Sequence, residues 1–307
     1  MFVDLRFDSL TVARGRIRSR LAGRYPWEGG RMADEVRFDP ALYRGTASYY
    51  DRFRLPYSDA MLADLARRTA PSGRGRLLDL ACGTGQLAFP LRDRFADVWA
   101  VDAEPDRTEA VRAKAAAIAD AARLRAVTAA AEELDADPGS FELIVIGNAF
   151  HRLRRDVVAR RALAWLQPGG CLALCWSTSP WAGSLDWQRA FDRLLRKWQE
   201  ILGASSRVPP GAESRRKQDP DQDVLLRAGF EPAERHRFAV EHRWTTDELA
   251  GHVRSTSFLP PSVLADRAAD FDADLTAELS PYMIDGSLTE TVSFAYDLAR
   301  KPTPGTP

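Results

Sequence analysis

The sequence predicts an α/β fold, a largely parallel sheet with helices on both faces, and two observations predict it. The first is Arg76-Leu77-Leu78-Asp79-Leu80-Ala81-Cys82-Gly83-Thr84-Gly85-Gln86-Leu87-Ala88, an apolar run that passes an acid into a glycine-rich turn and then a helix. Leu77, Leu78 and Leu80 form the short, nearly continuous apolar run of a central strand buried on both faces. The second is the alternation of short apolar runs with helical patterns downstream, which sets successive strands parallel through crossover helices.

Taken in order, residues Met1 to Arg31 differ from the rest. Arg14, Arg16, Arg18, Arg20 and Arg24 alternate with small and apolar residues, and Glu28-Gly29-Gly30 closes the segment. This reads as an extension, 1–31, with little fixed structure; a transit-like leader is the alternative, and Met32 is an alternative start. Phe38 to Ala70 reads as helix, kink and helix, interrupted at Pro56, with Tyr43, Tyr49, Tyr50, Phe53 and Tyr57 crowded around Arg44, Arg52 and Arg54. Residues 32–70 therefore read as a helical lid, with a plain packing helix as the other reading.

The core, 71–178, starts with the strand before the glycine turn. Asp97–Asp102 is the second strand, followed by a helix from Pro105, whose proline suits a first helical turn. Leu124–Ala129, Leu143–Asn148 and Cys171–Trp176 are the third to fifth, and Leu166-Gln167-Pro168-Gly169-Gly170 is a turn that stops one helix and restarts a strand. Beyond Trp176 the rhythm breaks. Trp187, Phe191, Leu194, Leu195, Trp198, Ile201 and Leu202 recur at helical spacing, so 179–222 reads as an inserted helical cap. Residues 223–301 return to the sheet with a helix from Val224 to Phe230 and two last strands, Glu231–Trp244 and Thr291–Arg300. A second helical insertion spans 245–280, and 302–307 is a tail.

The totals bound the partners. Lys+Arg 43 against Asp+Glu 43 gives a formal net charge of +0, so no global field draws the chain to nucleic acid or to an anionic membrane. Cys82 lies in the glycine turn, and Cys171 and Cys175 stand too far apart along one strand to bridge, which fits a reducing cytoplasm. No apolar run is long enough to span a bilayer, and no signal segment precedes a cleavage site. His236, His242 and His252 have no metal-ligand spacing with the cysteines, so no metal site is expected.

Gly83-Thr84-Gly85-Gln86-Leu87-Ala88 fits G-x-G-x-x-G/A, and Asp102 stands where a ribose-binding acid would be. The glycines leave no side chain between backbone and ligand. A nicotinamide-dependent oxidoreductase is therefore one reading. Asp79 weighs against it, because a carboxylate beside the glycines repels a pyrophosphate and suits a cationic ligand. Asp79 has a second reading, as a structural acid bonded to backbone.

Leu78-Asp79-Leu80-Ala81-Cys82-Gly83-Thr84-Gly85 resembles motif I of class I S-adenosylmethionine-dependent methyltransferases, in particular the ubiquinone/menaquinone-biosynthesis type and the relatives of trans-aconitate methyltransferase. Further matches follow in order: Val101-Asp102, Ala131-Glu132 with Leu134, Asn148-Ala149-Phe150-His151, and Gln167-Pro168-Gly169-Gly170. The resemblance covers roughly Tyr43 to Trp176. Ala81 replaces a frequent glycine, and Arg152-Leu153 replaces an aromatic–acid pair beside the substrate.

The resemblance implies a Rossmann-like seven-stranded methyltransferase sheet, five strands parallel and the last two a hairpin, with helical cap insertions. It implies S-adenosylmethionine as cofactor, held by Asp79, Ala81, Gly83, Thr84 and Gly85 along the methionine part. Asp102 with Ala103 would meet the ribose, Ala131 and Glu132 the adenine, and Asn148 and Ala149 the methionine end. Glu104 is the alternative ribose acid. His151 is the candidate base for a hydroxyl or amine acceptor, with a packing role as its other reading. Trp176, Trp181, Trp187, Trp198 and Trp244 concentrate aromatic surface after the fifth strand, which suits a flat or apolar small molecule as methyl acceptor. A cofactor-binding relative without transferase activity is the non-enzymic alternative. The assembly expected is a monomer or homodimer.

Overall fold

The computed structural model describes residues 40–118, 121–207 and 217–303. The chain divides into two units, Met1–Glu35 and Val36–Pro307. The extension expected over 1–31 lies outside the described residues, as do residues 304–307 of the tail. Everything below concerns the second unit.

Two helices, α1 (Ala47–Phe53) and α2 (Asp59–Thr69), precede the sheet. Ser58 caps α2 by accepting the Met61 amide, and between the helices Pro56 breaks the run as its missing N–H requires. Then follow β1 (Arg76–Leu80), α3 (Ala88–Leu91), β2 (Asp97–Asp102), α4 (Pro105–Ala116), β3 (Leu124–Thr128), β4 (Phe141–Gly147), α5 (Arg155–Trp165) and β5 (Leu166–Ser177). The remainder is α6 (Asp186–Ile201), α7 (Asp221–Ala228), β6 (Glu234–Trp244), α8 (Thr246–Arg254), α9 (Pro261–Leu264), α10 (Ala268–Leu279) and β7 (Leu288–Arg300).

The seven strands lie in the order β3-β2-β1-β4-β5-β7-β6. Pairing is parallel from β3 to β5, and β7 runs antiparallel to both β5 and β6. A dinucleotide-binding sheet of the doubly wound type continues in parallel beyond its fifth strand; here an antiparallel strand takes that position.

The period of two along each strand divides the core. Leu77, Val98, Leu143, Val145, Ala173 and Cys175 face α2, α3 and α4. Leu78, Leu80, Val101, Ile144, Leu172 and Leu174 face α5 and α7. A third apolar cluster lies among the cap helices and reaches the ends of β6 and β7: Trp187, Phe191 and Trp198 of α6 pack with Leu249 and Val253 of α8, Phe271 and Leu275 of α10, Trp244 and Leu288. The helical spacing read from Trp187 to Leu202 is the inner face of that cluster except at Ile201, which is exposed at the end of α6.

One element differs from the expectation. Gln167-Pro168-Gly169-Gly170 is not a free turn but the start of β5, where Phe141 pairs with Leu166 and Leu143 with Cys171, so the extra residues of β5 bulge. Gly169 takes φ +74°, and a Cβ on Gly170 would stand 3.1 Å from the Glu142 carbonyl. The end of the chain ties the bulge down: the Gly169 amide donates to the Lys301 carbonyl and the Lys301 amide to Gly170.

Candidate active site

Between β1 and its two neighbours the crossovers lead in opposite directions, and that reversal opens a crevice at the carboxyl ends of the strands. A cavity of about 310 Å³ occupies it. Its floor is the turn after β1. Ala81 and Gly83 adopt φ +56° and +57°, which bends the chain back so that the Cys82 amide donates to the Val101 carbonyl. The Gly83 amide donates to Oδ2 of Asp102 at 2.8 Å, and Oδ1 of Asp102 accepts the Glu104 amide at 3.0 Å.

Nine of the residues singled out in the sequence line this one cavity. They are Ala81 and Gly83 from the turn after β1, Asp102 and Ala103 from the end of β2, Ala131 and Glu132 after β3, and Asn148, Ala149 and His151 after β4. Asn148 holds φ +51°, a left-handed conformation that asparagine tolerates better than most residues, and its side chain bonds Ser177 on β5.

Asp79, Thr84 and Gly85 stand behind this wall. Asp79 is 1% exposed and accepts the Ala88 amide at 2.8 Å, anchoring the first turn of α3. Burial pushes its carboxyl up to about 7. That contact fits the structural reading left open in the sequence, and a carboxyl raised this far weakens the argument from repulsion of a phosphate. Thr84 is fully buried, and a Cβ on Gly85 would meet the Phe89 ring at 2.7 Å.

Two of the placed side chains are already engaged. One oxygen of Glu132 accepts the Arg154 amide ahead of α5. Nε2 of His151 accepts from Nε of Arg152 at 3.1 Å, which occupies the lone pair a base would use. Glu104, the alternative ribose acid, also lines the cavity; its Oε2 is buried without a hydrogen bond, and burial raises its carboxyl above the ordinary range.

Beyond the glycine turn the cavity continues into an aromatic chamber of Leu55, Trp181, Trp244, His252 and Phe258, with the hydroxyls of Ser177, Thr178, Ser179 and Thr256. The tryptophans singled out in the sequence therefore part company. Trp181 and Trp244 reach the cavity wall, Trp244 from within the third apolar cluster, while Trp187 and Trp198 belong to that cluster and do not line the cavity. His252 stands edge-on to both Trp181 and Trp244 at 5.4 Å, and burial draws its imidazole well below the ordinary value, so it is neutral.

The roof is Tyr43, Tyr50, Arg54, Arg107 and Arg152. The crowding of tyrosine and arginine before Pro56 signalled part of it. Arg107 and His252 carry no such signal: Arg107 sits among polar residues at the start of α4 and His252 in a mixed stretch of α8, and only the tertiary packing brings each inward.

Among the described residues no helix is long and apolar enough to cross a membrane, and no cluster of His, Cys, Asp and Glu could hold a metal ion.

Residues 77–170 match a family described as a methyltransferase domain. The chain is 29% identical over 238 residues to an uncharacterized methyltransferase of Mycobacterium tuberculosis, covering 77% of this chain and 85% of that one; a Mycobacterium bovis counterpart matches equally. Among solved structures, a candidate type II methyltransferase from Anaeromyxobacter dehalogenans superposes with a TM-score of 0.56 at 20% identity, over 82% of this chain and 99% of that one. The YcgJ protein of Bacillus subtilis superposes with a TM-score of 0.50 at 14% identity, over 80% and 99%.

Proposed function

We propose that this chain, which carries a class I S-adenosylmethionine-dependent methyltransferase domain, transfers the sulfonium methyl group to an oxygen, nitrogen or carbon nucleophile of a small organic molecule. One observation carries the reading: Asp102 and the Gly83 turn share a single continuous cavity with an aromatic chamber, so a cofactor site and an acceptor site open into each other. The residues fit the cofactor. A side chain at Gly83 would intrude on the roof at Arg107 and Tyr50, and the small residues Ala103, Ala129 and Ala131 leave a smooth wall for a flat base.

When bound, S-adenosylmethionine supplies a methyl group already activated by positive sulfur. What remains for the protein is to align the acceptor and exclude water. In this reading Asp102 accepts both ribose hydroxyls, Ala81 and Gly83 flank the methionine part, and Ala131 with Glu132 meets the adenine edge. Asp79, Thr84 and Gly85 hold the glycine turn in shape from behind. Asn148 and Ala149 close the side toward the acceptor. His151 takes an acceptor proton once Arg152 releases its Nε2. We read 32–70 as the lid and the segments 179–222 and 245–280 as helical cap insertions. The three cysteines, all free and buried, suit a cytoplasmic protein.

Calorimetric titration with S-adenosylhomocysteine, with NADH and NADPH as controls, tests the reading. Micromolar binding of the homocysteine compound alone, lost in Asp102→Ala, is the expected result. Binding of a dinucleotide instead would overturn it.

A further inference from the structure

The roof of the cavity is a ladder of alternating cations and rings. The Arg54 guanidinium lies 5.2 Å from the Tyr50 centroid and Arg107 4.4 Å from the same ring. Arg107 also lies 4.9 Å from Tyr43, and Arg152 4.7 Å from Tyr43. Arg107 and Arg152 have polar partners of their own, Thr46 Oγ1 and His151 Nε2. Arg54 is different. Its Nε donates to Ser255 Oγ at 2.8 Å, both of its Nη groups are left without a hydrogen bond, and no carboxylate among the described residues pairs with it.

A guanidinium packed this deeply without a counter-ion is costly, because it has given up water and received no anion in return. Burial lowers its pKa, and the neighbouring charge of Arg107 lowers it further; only Tyr50 and Tyr57 act the other way. Arg54 nevertheless keeps some accessible surface, and it lines the cavity. A planar fork with open donors facing a cavity is matched by a carboxylate, which accepts two parallel N–H bonds.

Its surroundings say which carboxylate. Ser255, its hydrogen-bond partner, follows α8 and is flanked in sequence by Thr256 and, one turn back, His252, both on the chamber wall. The apolar part of that chamber is Leu55, Trp181, Trp244 and Phe258. Arg107, in contrast, is the guanidinium against the glycine turn, its Nη1 3.1 Å from where a Gly83 Cβ would stand.

We propose that Arg54 receives the carboxylate of the methyl acceptor, and that the acceptor is a small monocarboxylic acid with an apolar or aromatic body lying against Trp181 and Phe258. This rests on the methyl-transfer reading. The methionine part of the cofactor offers the same chemistry from a second source, and the experiment separates the two.

The protein saturated with S-adenosylhomocysteine is titrated with matched pairs of acid and amide: benzoate and benzamide, phenylacetate and phenylacetamide, 3-phenylpropanoate and its amide, octanoate and octanamide. At least one acid is expected to bind tenfold or more tighter than its amide. Arg54→Gln removes that preference, Arg54→Lys keeps part of it, and both variants bind S-adenosylhomocysteine and 5′-methylthioadenosine within twofold of the parent. The thermal midpoint of Arg54→Gln is expected at or above that of the parent, since an unpaired buried charge has gone. No preference for any acid, or a preference that survives Arg54→Gln, overturns the proposal. So does a tenfold loss of S-adenosylhomocysteine affinity in Arg54→Gln with methylthioadenosine unchanged, which would assign the arginine to the cofactor's own carboxylate. Failure of the parent protein to bind S-adenosylhomocysteine would instead overturn the methyl-transfer reading, and this inference with it.

Discussion

Asp102 at the end of β2 holds Gly83 across the crevice, accepting its amide at 2.8 Å, so the carboxylate assigned to the ribose also fixes the turn on which the cofactor would lie. Removing it deletes a charge-assisted acceptor and loosens the floor at once. Hydrogen bonds to charged groups contribute about 1.5–3 kcal/mol, so Asp102→Ala is expected to weaken S-adenosylhomocysteine binding by about ten- to a hundredfold. Glu104→Gln keeps the shape of the other acid and should cost less than about threefold by the same reasoning. If the two effects are reversed in a calorimetric titration, Glu104 is the ribose acid.

What could be read in advance follows the range of the interaction. The strands were legible because Leu77-Leu78 and Val98 to Val101 bury both faces and turn residues bound them, which is local information. The cofactor half was legible for a related reason: Gly83, Asp102 and Asn148 each sit at or just after the end of a strand, where topology alone puts them at one edge of the sheet. The roof and the chamber were not. Arg107 is one of two arginines on α4 with nothing in the sequence to tell them apart, and His252 reaches the cavity through the packing of α8 against α1. The side-chain direction of Asp79 was also beyond the sequence, since a carboxylate at a strand end can face either a ligand or a helix start.

Asp79 gives the protein a pH dependence of definite sign. Its folded pKa of about 7 lies above the ordinary 3.8, so the folded state holds this proton more tightly than the unfolded chain. The contribution is fully present at low pH, falls as pH rises between about 4 and 7, and is flat above that, with a full swing on the order of 4 kcal/mol. Asp79→Asn retains an oxygen for the Ala88 amide and removes the titration. Melting curves of the two proteins are expected to coincide near pH 4 and to separate toward pH 8, the variant being the more stable; parallel curves would mean that Asp79 is charged in the folded protein.

His151 and Arg152 compete for one lone pair. Because Nε2 of His151 accepts from Arg152, the imidazole is held on the cavity wall whether or not it serves as a base. His151→Ala is expected to lower kcat by about a hundredfold or more, from the low end of the range for general-base catalysis upward, while S-adenosylhomocysteine affinity stays within about twofold. A fall in cofactor affinity with kcat preserved would make it a wall residue only.

The contact between α1 and α8 sets two rules about glycine against each other. Gly251 lies inside α8, where alanine is favoured over glycine by about 1 kcal/mol on helix propensity alone. A Cβ at that position, however, would stand 2.4 Å from the Phe53 ring at the end of α1. Overpacking of this kind costs about 1–3 kcal/mol, so the steric term is expected to win and Gly251→Ala to be destabilising on balance. Arg54 adjoins Phe53, and its partner Ser255 is the C-cap of α8, so forcing the helices apart also stretches the Arg54–Ser255 bond in the roof. Phe53→Ala removes the ring and with it the clash. In that background Gly251→Ala should be neutral or stabilising, a coupling readable as a double-mutant cycle on thermal midpoints. Additive effects would show that the two residues do not meet, and that α1 sits on α8 through some other contact.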